Sequence, residues 1–251
     1  MTDAYLGQVL AEYAVDTGPY SSARQVQAQI APIVKRWGGQ FLMHIEPSGS
    51  FAKGTAVRTG TDIDLFISLS SDTPDTLAQI YSSLFMALTQ AGYQPKRQNV
   101  SLNIRVGAYD VDMVPAKRHS QYGGDHSLYS NRSDSWLQTN VGKQIAQVRG
   151  SGRVDEIRLL KIWRNRRGLD FPSFYLELAI IRALSGARRG NLASNIVTAL
   201  EFLRDQLVNA RIIDPENTNN VISDTLDAAG KRLVSAAARA ALQSNWGNEF
   251  A

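Results

Sequence analysis

The segment Thr61-Asp62-Ile63-Asp64-Leu65-Phe66-Ile67 restricts the fold of this chain more than any other stretch. Ile63, Leu65 and Ile67 recur at every second residue, the period of a strand, so these apolar side chains share one face and enter a core. Asp62 and Asp64 then leave the opposite face about 7 Å apart. Two carboxylates so placed repel each other unless a cation lies between them. Hard divalent ions such as Mg²⁺ take oxygen ligands of this kind, with waters and substrate phosphates completing the shell.

A later strand offers the third acid. Val100 to Val106 and Ala108 to Val114 read as two strands flanking Gly107, and the second carries Tyr109-Asp110-Val111-Asp112-Met113-Val114-Pro115. Asp112 is the preferred third ligand; Asp110 shares its face and is the alternative. With Asp62, Asp64 and Asp112 together, one metal ion can activate an attacking hydroxyl while a second holds a triphosphate and stabilises the leaving pyrophosphate. Gly49-Ser50 suits the other half of that chemistry. A glycine lets the backbone approach an anion, the serine hydroxyl adds a donor, and Phe51 to Val57 can start a helix whose N-terminus points at phosphate. Lys53 and Arg58 are expected to face solvent.

The surrounding pattern is mixed α/β in the first half. Leu6, Val9, Leu10 and Tyr13, then Val26, Ile30, Ile33, Val34 and Trp37, follow helical spacing, with Pro19 between the two helices and Gly38-Gly39 ending the second. Phe41 to Ile45 is a short strand, Leu77, Ile80, Leu84 and Leu88 mark a helix ending at Gly92, and the polar stretch 117–135 is expected to be a long loop. Beyond Gly150 the spacing is helical throughout, over 153–166, 174–187, 192–209 and about 222–243. A soft boundary near residue 150 therefore separates a catalytic core (1–150) from a helical domain (151–251). No linker divides them, which leads to the expectation of an α+β fold, a mixed sheet packed on a C-terminal helical domain with a shared cleft.

Composition removes several function classes. The chain has no cysteine, hence no disulfide framework, thiolate zinc site or cysteine nucleophile. His44, His119 and His126 are too scattered for a zinc site, and His44 is expected to pack in the core. No apolar run approaches the ~18 residues of a membrane span, and the start lacks a signal peptide's order, so a cytoplasmic protein with no membrane role is expected. The formal charge is only +4 over 251 residues, yet Arg149 to Arg167 holds seven basic against two acidic residues. Lys161 borders the apolar stripe of Val154, Ile157, Leu160 and Trp163, so it is placed to emerge at the lip of a cleft, with a solvated basic face as the plain alternative. Ser173 follows a proline, where a helix N-cap is the ordinary explanation. Tyr122, Tyr129 and Trp136 are expected to anchor their loop rather than stack on a base, and Asn219 and Asn220 to cap a helix.

Taken together, Gly49-Ser50, the paired acids and Val111-Asp112-Met113-Val114-Pro115 resemble the nucleotidyltransferase superfamily that includes DNA polymerase beta. GSFAKGTAV, TDIDLFI and VDMVPA are most similar to its branch of oligoadenylate synthases, archaeal CCA-adding enzymes and bacterial cyclic-oligonucleotide synthases of anti-phage defence. Arg158-Leu159-Leu160-Lys161-Ile162-Trp163 resembles that branch's triphosphate-lysine helix, and Pro172-Ser173-Phe174-Tyr175-Leu176-Glu177 resembles the next helix, whose serine meets phosphate. Asp214-Pro215 with Asn219-Asn220 matches a late element.

The resemblance implies an enzyme that joins NTPs, ATP favoured, with two Mg²⁺ or Mn²⁺ ions on Asp62, Asp64 and Asp112 and the triphosphate against Gly49, Ser50, Lys161 and Ser173. A cyclic di- or oligonucleotide is the expected product and a monomer the expected state. The alternatives are an RNA- or tRNA-tailing enzyme with an oligonucleotide acceptor, an antibiotic nucleotidyltransferase, and a degenerate relative that binds nucleotides without turnover.

Overall fold

The computed structural model describes residues 2–59, 62–215, 217–244 and 247–250; Thr61, the first residue of the acidic segment, lies outside them. The chain divides into two compact units, one made of Asp16–Gly54 and Asp62–Ile145, the other of Met1–Val15, Thr55–Thr61 and Ala146–Ala251. This differs from a single break near 150. Helix α1 (Asp3–Glu12) buries Leu6, Val9 and Leu10 in the same apolar cluster as Ile157, Leu160, Trp163 and Leu200, so the first helix belongs with the last hundred residues. Helical spacing identifies an element's buried face but not the unit that buries it.

The first unit is built on one mixed sheet. Helix α2 (Ser22–Gly38) begins on Ser21, whose hydroxyl accepts the Arg24 N–H, and ends at Gly39. Strand β1 (Leu42–Pro47), the five-residue helix α3 (Gly49–Lys53) and strand β2 (Ile63–Leu69) follow. Helix α4 (Leu77–Gln90) opens with a reciprocal Thr76–Gln79 capping box, which satisfies two otherwise unpaired N–H groups. Then come β3 (Lys96–Arg97), β4 (Leu102–Val106) and β5 (Tyr109–Arg118), the last two joined by a tight turn at Gly107. The strand order is β1-β2-β5-β4-β3. Strands β2 and β5 run parallel through the centre, from Ile63 opposite Val111 to Leu69 opposite Lys117.

The polar stretch expected to be a loop is instead a hairpin. Strand β6 (His126–Ser130) pairs with the end of β5 and with β7 (Ser135–Thr139). Its inward side chains are His126, Leu128 and Ser130, so two of the three positions that would announce a strand by hydrophobicity are polar. They are satisfied by partners: Ser68 Oγ lies 2.8 Å from His126 Nε2, and Ser130 bonds the Asn99 side chain. Burial holds the His126 imidazole below its ordinary pKa. Tyr129 of the hairpin packs at a tilted angle against Tyr81 of α4, and its hydroxyl donates to Asp134, whereas Trp136 is exposed. His44 is corrected as well: it is exposed on β1 and faces Glu46 at 3.1 Å, because its face of that strand is open to solvent.

The second unit is helical. Helix α5 (Val141–Gly150) buries only Val148, which is why its spacing carries no signal. It is followed by α6 (Val154–Arg166), α7 (Ser173–Ala183), α8 (Leu192–Asp205), α9 (Ala228–Gln243) and the short α10 (Gly247–Phe250). Helix α6 is central to the unit's core, with Ile157, Leu159, Leu160, Ile162 and Trp163 all fully buried. Among the described residues no helix is long and apolar enough to cross a membrane.

Candidate active site

The parallel pairing of β2 with β5 sets Asp64 directly beside Asp112. In-register residues of neighbouring strands lie about 4.8 Å apart and project to the same face, so the two carboxylates stand abreast. On the far side of β5 the antiparallel pairing places Asn103 opposite Asp112, and the Asn103 amide donates to Asp112 Oδ1 at 2.8 Å. Asp62 precedes β2 by one residue and is exposed. Its carboxyl is pushed up chiefly by burial of its surroundings, then by the charges of Asp112 and Asp110. Burial also raises Asp112, against the lowering effect of its hydrogen bond from Asn103. The acids thus sense one another, as like charges gathered on one face must.

Asp110 lies two residues nearer the turn and has a different neighbour. Arg105 on β4 holds it at 2.6 Å in a half-exposed ion pair. Sequence spacing alone left Asp110 and Asp112 as alternatives; the cross-strand pairing gives them different neighbours.

Gly49 meets the same row of acids from the opposite side. The Ser48 N–H donates to the Asp64 carbonyl at 2.8 Å, which turns the chain so that Gly49 adopts φ +54°. A Cβ on Gly49 would lie 1.8 Å from Asp64 Oδ2, so this close approach admits no side chain. Ser50 follows in α3, which runs Gly49–Lys53 rather than beginning at Phe51. Lys53, expected in solvent, is 7% exposed in the last turn of α3. Arg58 is exposed as expected, 3.7 Å from Glu12.

Lys161 and Ser173 lie in the helical unit. Lys161 does not reach solvent there: it is 3% exposed, and its Nζ contacts Glu177 Oε1 at 2.7 Å and Thr55 Oγ1 at 2.9 Å. Thr55 in turn donates to Glu177 at 2.8 Å, closing a buried triad. The partner carboxylate sits on α7, sixteen residues later, where the periodicity of α6 says nothing about it. Ser173, the first residue of α7, is exposed, and its hydroxyl accepts a bond from Arg164 Nη1 at 2.9 Å. Asn103 and Arg164, both in contact with predicted site residues, had no motif to mark them. Asn103 is recoverable only by pairing β4 with β5 across Gly107.

Among the described residues no three carboxylate or imidazole groups close into a metal cage by themselves. The arrangement is an open face of hard oxygen acceptors. That chemistry fits Mg²⁺ or Mn²⁺, which keep several waters and take substrate phosphate oxygens, and does not fit a softer ion seeking imidazole or thiolate.

No protein-family model matches the chain. It is similar to a cyclic AMP-AMP-AMP synthase of Escherichia coli (strain MS 115-1), 27% identical over 196 residues, or 70% of this chain and 61% of that protein. The matched segment therefore spans less than two thirds of that relative's length. Among solved structures, E. coli MS115-1 CdnC with ATP superposes with a TM-score of 0.74 at 21% identity, covering 97% of this chain and 91% of that one. The CD-NTase CdnG of Bradyrhizobium diazoefficiens in complex with GTP gives a TM-score of 0.79 at 15% identity, covering 96% and 90%. The chain thus shares the fold of those solved structures.

Proposed function

We propose that the chain is a metal-dependent nucleotidyltransferase that joins NTPs with release of pyrophosphate. Its product in this reading is a cyclic di- or oligonucleotide second messenger of bacterial anti-phage defence, with ATP the favoured donor. The observation that carries the reading is Asp64 standing beside Asp112 on adjacent parallel strands, with the Gly49 backbone pressed against Asp64. The 27% identity to a cyclic AMP-AMP-AMP synthase supports the product class.

In this mechanism Asp62, Asp64 and Asp112 would hold two divalent ions. Bound there, the ions would activate the acceptor hydroxyl and stabilise the leaving pyrophosphate. The backbone at Gly49 and the Ser50 hydroxyl bind and orient the triphosphate. Positioning and charge neutralisation provide most of the acceleration in phosphoryl-type transfer, so the rigid sheet that fixes the acids matters as much as the acids. Lys161 and Ser173, expected on phosphate, lie in the helical unit, where Glu177 and Thr55 engage the Lys161 ammonium and the Ser173 hydroxyl accepts from Arg164.

The test is incubation of purified protein with Mg²⁺ or Mn²⁺ and mixed NTPs, followed by mass spectrometry. Cyclic products together with pyrophosphate are expected. Linear or RNA-attached products would transfer the assignment to a tailing enzyme. Pyrophosphate release that persists in the Asp62→Ala, Asp64→Ala double variant would overturn the whole reading.

A further inference from the structure

The β4 strand gives the two acids of β5 different neighbours. Opposite Asp112 it places Asn103, a neutral amide that donates to Oδ1 at 2.8 Å. Opposite Asp110 it places Arg105, a guanidinium at 2.6 Å. An amide donor fixes the plane of a carboxylate and brings no charge to compete with a cation; a guanidinium occupies the carboxylate with an ion pair of its own.

We propose that Asn103 is a positioning residue for Asp112, fixing the plane of its carboxylate as an oxygen donor to a divalent cation, while Arg105 engages Asp110 in an ion pair of its own. The proposal rests on reading Asp112 as a metal-binding acid and extends that reading to residues with no contact to substrate. Partners that orient a ligating group typically change metal affinity or activity by about 10- to 100-fold when removed.

The experiment measures Mn²⁺ binding without nucleotide by electron paramagnetic resonance, alongside the Mg²⁺ concentration that half-saturates pyrophosphate release. Asn103→Leu preserves the size of the side chain and removes the donor; Asn103→Ala removes it without the added apolar bulk. Each is expected to raise the Mn²⁺ Kd and the half-saturating Mg²⁺ about tenfold. At saturating metal kcat should return to within about threefold of wild type, and the metal-free melting temperature should not move. Arg105→Leu should leave Mn²⁺ affinity within about threefold. Wild-type Mn²⁺ affinity in both amide variants overturns the proposal, as does a loss that follows only a fall in metal-free stability. If wild type binds Mn²⁺, the amide variants lose it and no chain releases pyrophosphate, the positioning role stands and the proposed reaction fails.

Discussion

Replacing Gly49 by alanine tests the close approach of its turn to the acids. The added methyl carbon would lie 1.8 Å from Asp64 Oδ2 and 2.5 Å from its Cγ, well inside contact distance, and the backbone at φ +54° disfavours any Cβ. The conformational part costs about 1–2 kcal/mol. At roughly 2–4 °C per kcal/mol for a chain of this size, the melting temperature should fall by about 2–8 °C. Relief of the clash requires Asp64 or the turn to move by more than 1 Å, and a misplacement of that size costs about 100-fold in turnover. Gly49→Ala should therefore remain folded by circular dichroism while pyrophosphate release drops by about two orders of magnitude. Ser50→Ala is the control: it removes a hydroxyl without moving backbone, and a loss of about tenfold is expected, the scale of one hydrogen bond to a charged group. Turnover within threefold of wild type in Gly49→Ala would refute the argument, because it would mean that the contact between Gly49 and Asp64 has no part in the chemistry.

The two acids of β5 should separate cleanly: Asp112→Asn is expected to cost about 100-fold in turnover, whereas Asp110→Asn should stay within about fivefold, the scale of an exposed ion pair worth up to 1 kcal/mol. Lys161→Met leaves Glu177 buried without its ammonium partner and should destabilise the chain by about 3–5 kcal/mol in a urea titration; Lys161→Met with Glu177→Leu should recover much of that loss, and a double variant no more stable than the single one contradicts the pairing. Because Asp62 and Asp112 are raised above their ordinary value of 3.8, the folded state binds more protons than the unfolded one over the interval between. Their contribution to stability should therefore fall as pH rises from the ordinary carboxylate range through the raised pKa values, in metal-free buffer, and the slope should diminish in Asp62→Asn with Asp112→Asn. At neutral pH, Mn²⁺ at about 100 times its Kd should restore about 2.7 kcal/mol to wild type, and nothing to that variant, in thermal unfolding.

How much of this was legible in the sequence depended on whether an element's partners were apolar. Strand β2 could be read from Ile63, Leu65 and Ile67 because all three are buried at a period of two. The α6 stripe could be read in the same way. The β6–β7 hairpin could not, because its inward positions are His126 and Ser130, and their hydrogen bonds to Ser68 and Asn99 appear only once the strands are paired. Helix α1 was read correctly as a helix, while its place beside α6 rests on complementarity between distant faces, which periodicity does not encode.

The same limit applies to charge, and it changes what the basic stretch means. Counted along the chain, Arg149 to Arg167 carries an excess of five. In the folded unit Arg153 pairs with Glu156, Arg158 with Asp155, Lys161 with Glu177 and Arg167 with Glu249. Glu177 and Glu249 lie outside the counted window, and including them lowers the excess to three. Among the described residues, Arg149, Arg164 and Arg166 of that stretch have no carboxylate within ion-pair distance, and burial lowers the pKa of Arg164. The unpaired positive charge of this stretch therefore rests with those three residues, and Lys161, the one a motif singles out, is paired with Glu177 in the core. That Asp64 and Asp112 stand side by side could be expected in advance because strand geometry alone brings them together, whereas the different neighbours of Asp110 and Asp112 could not. The cations could not, because which of them stays unpaired is decided by helices meeting across a core.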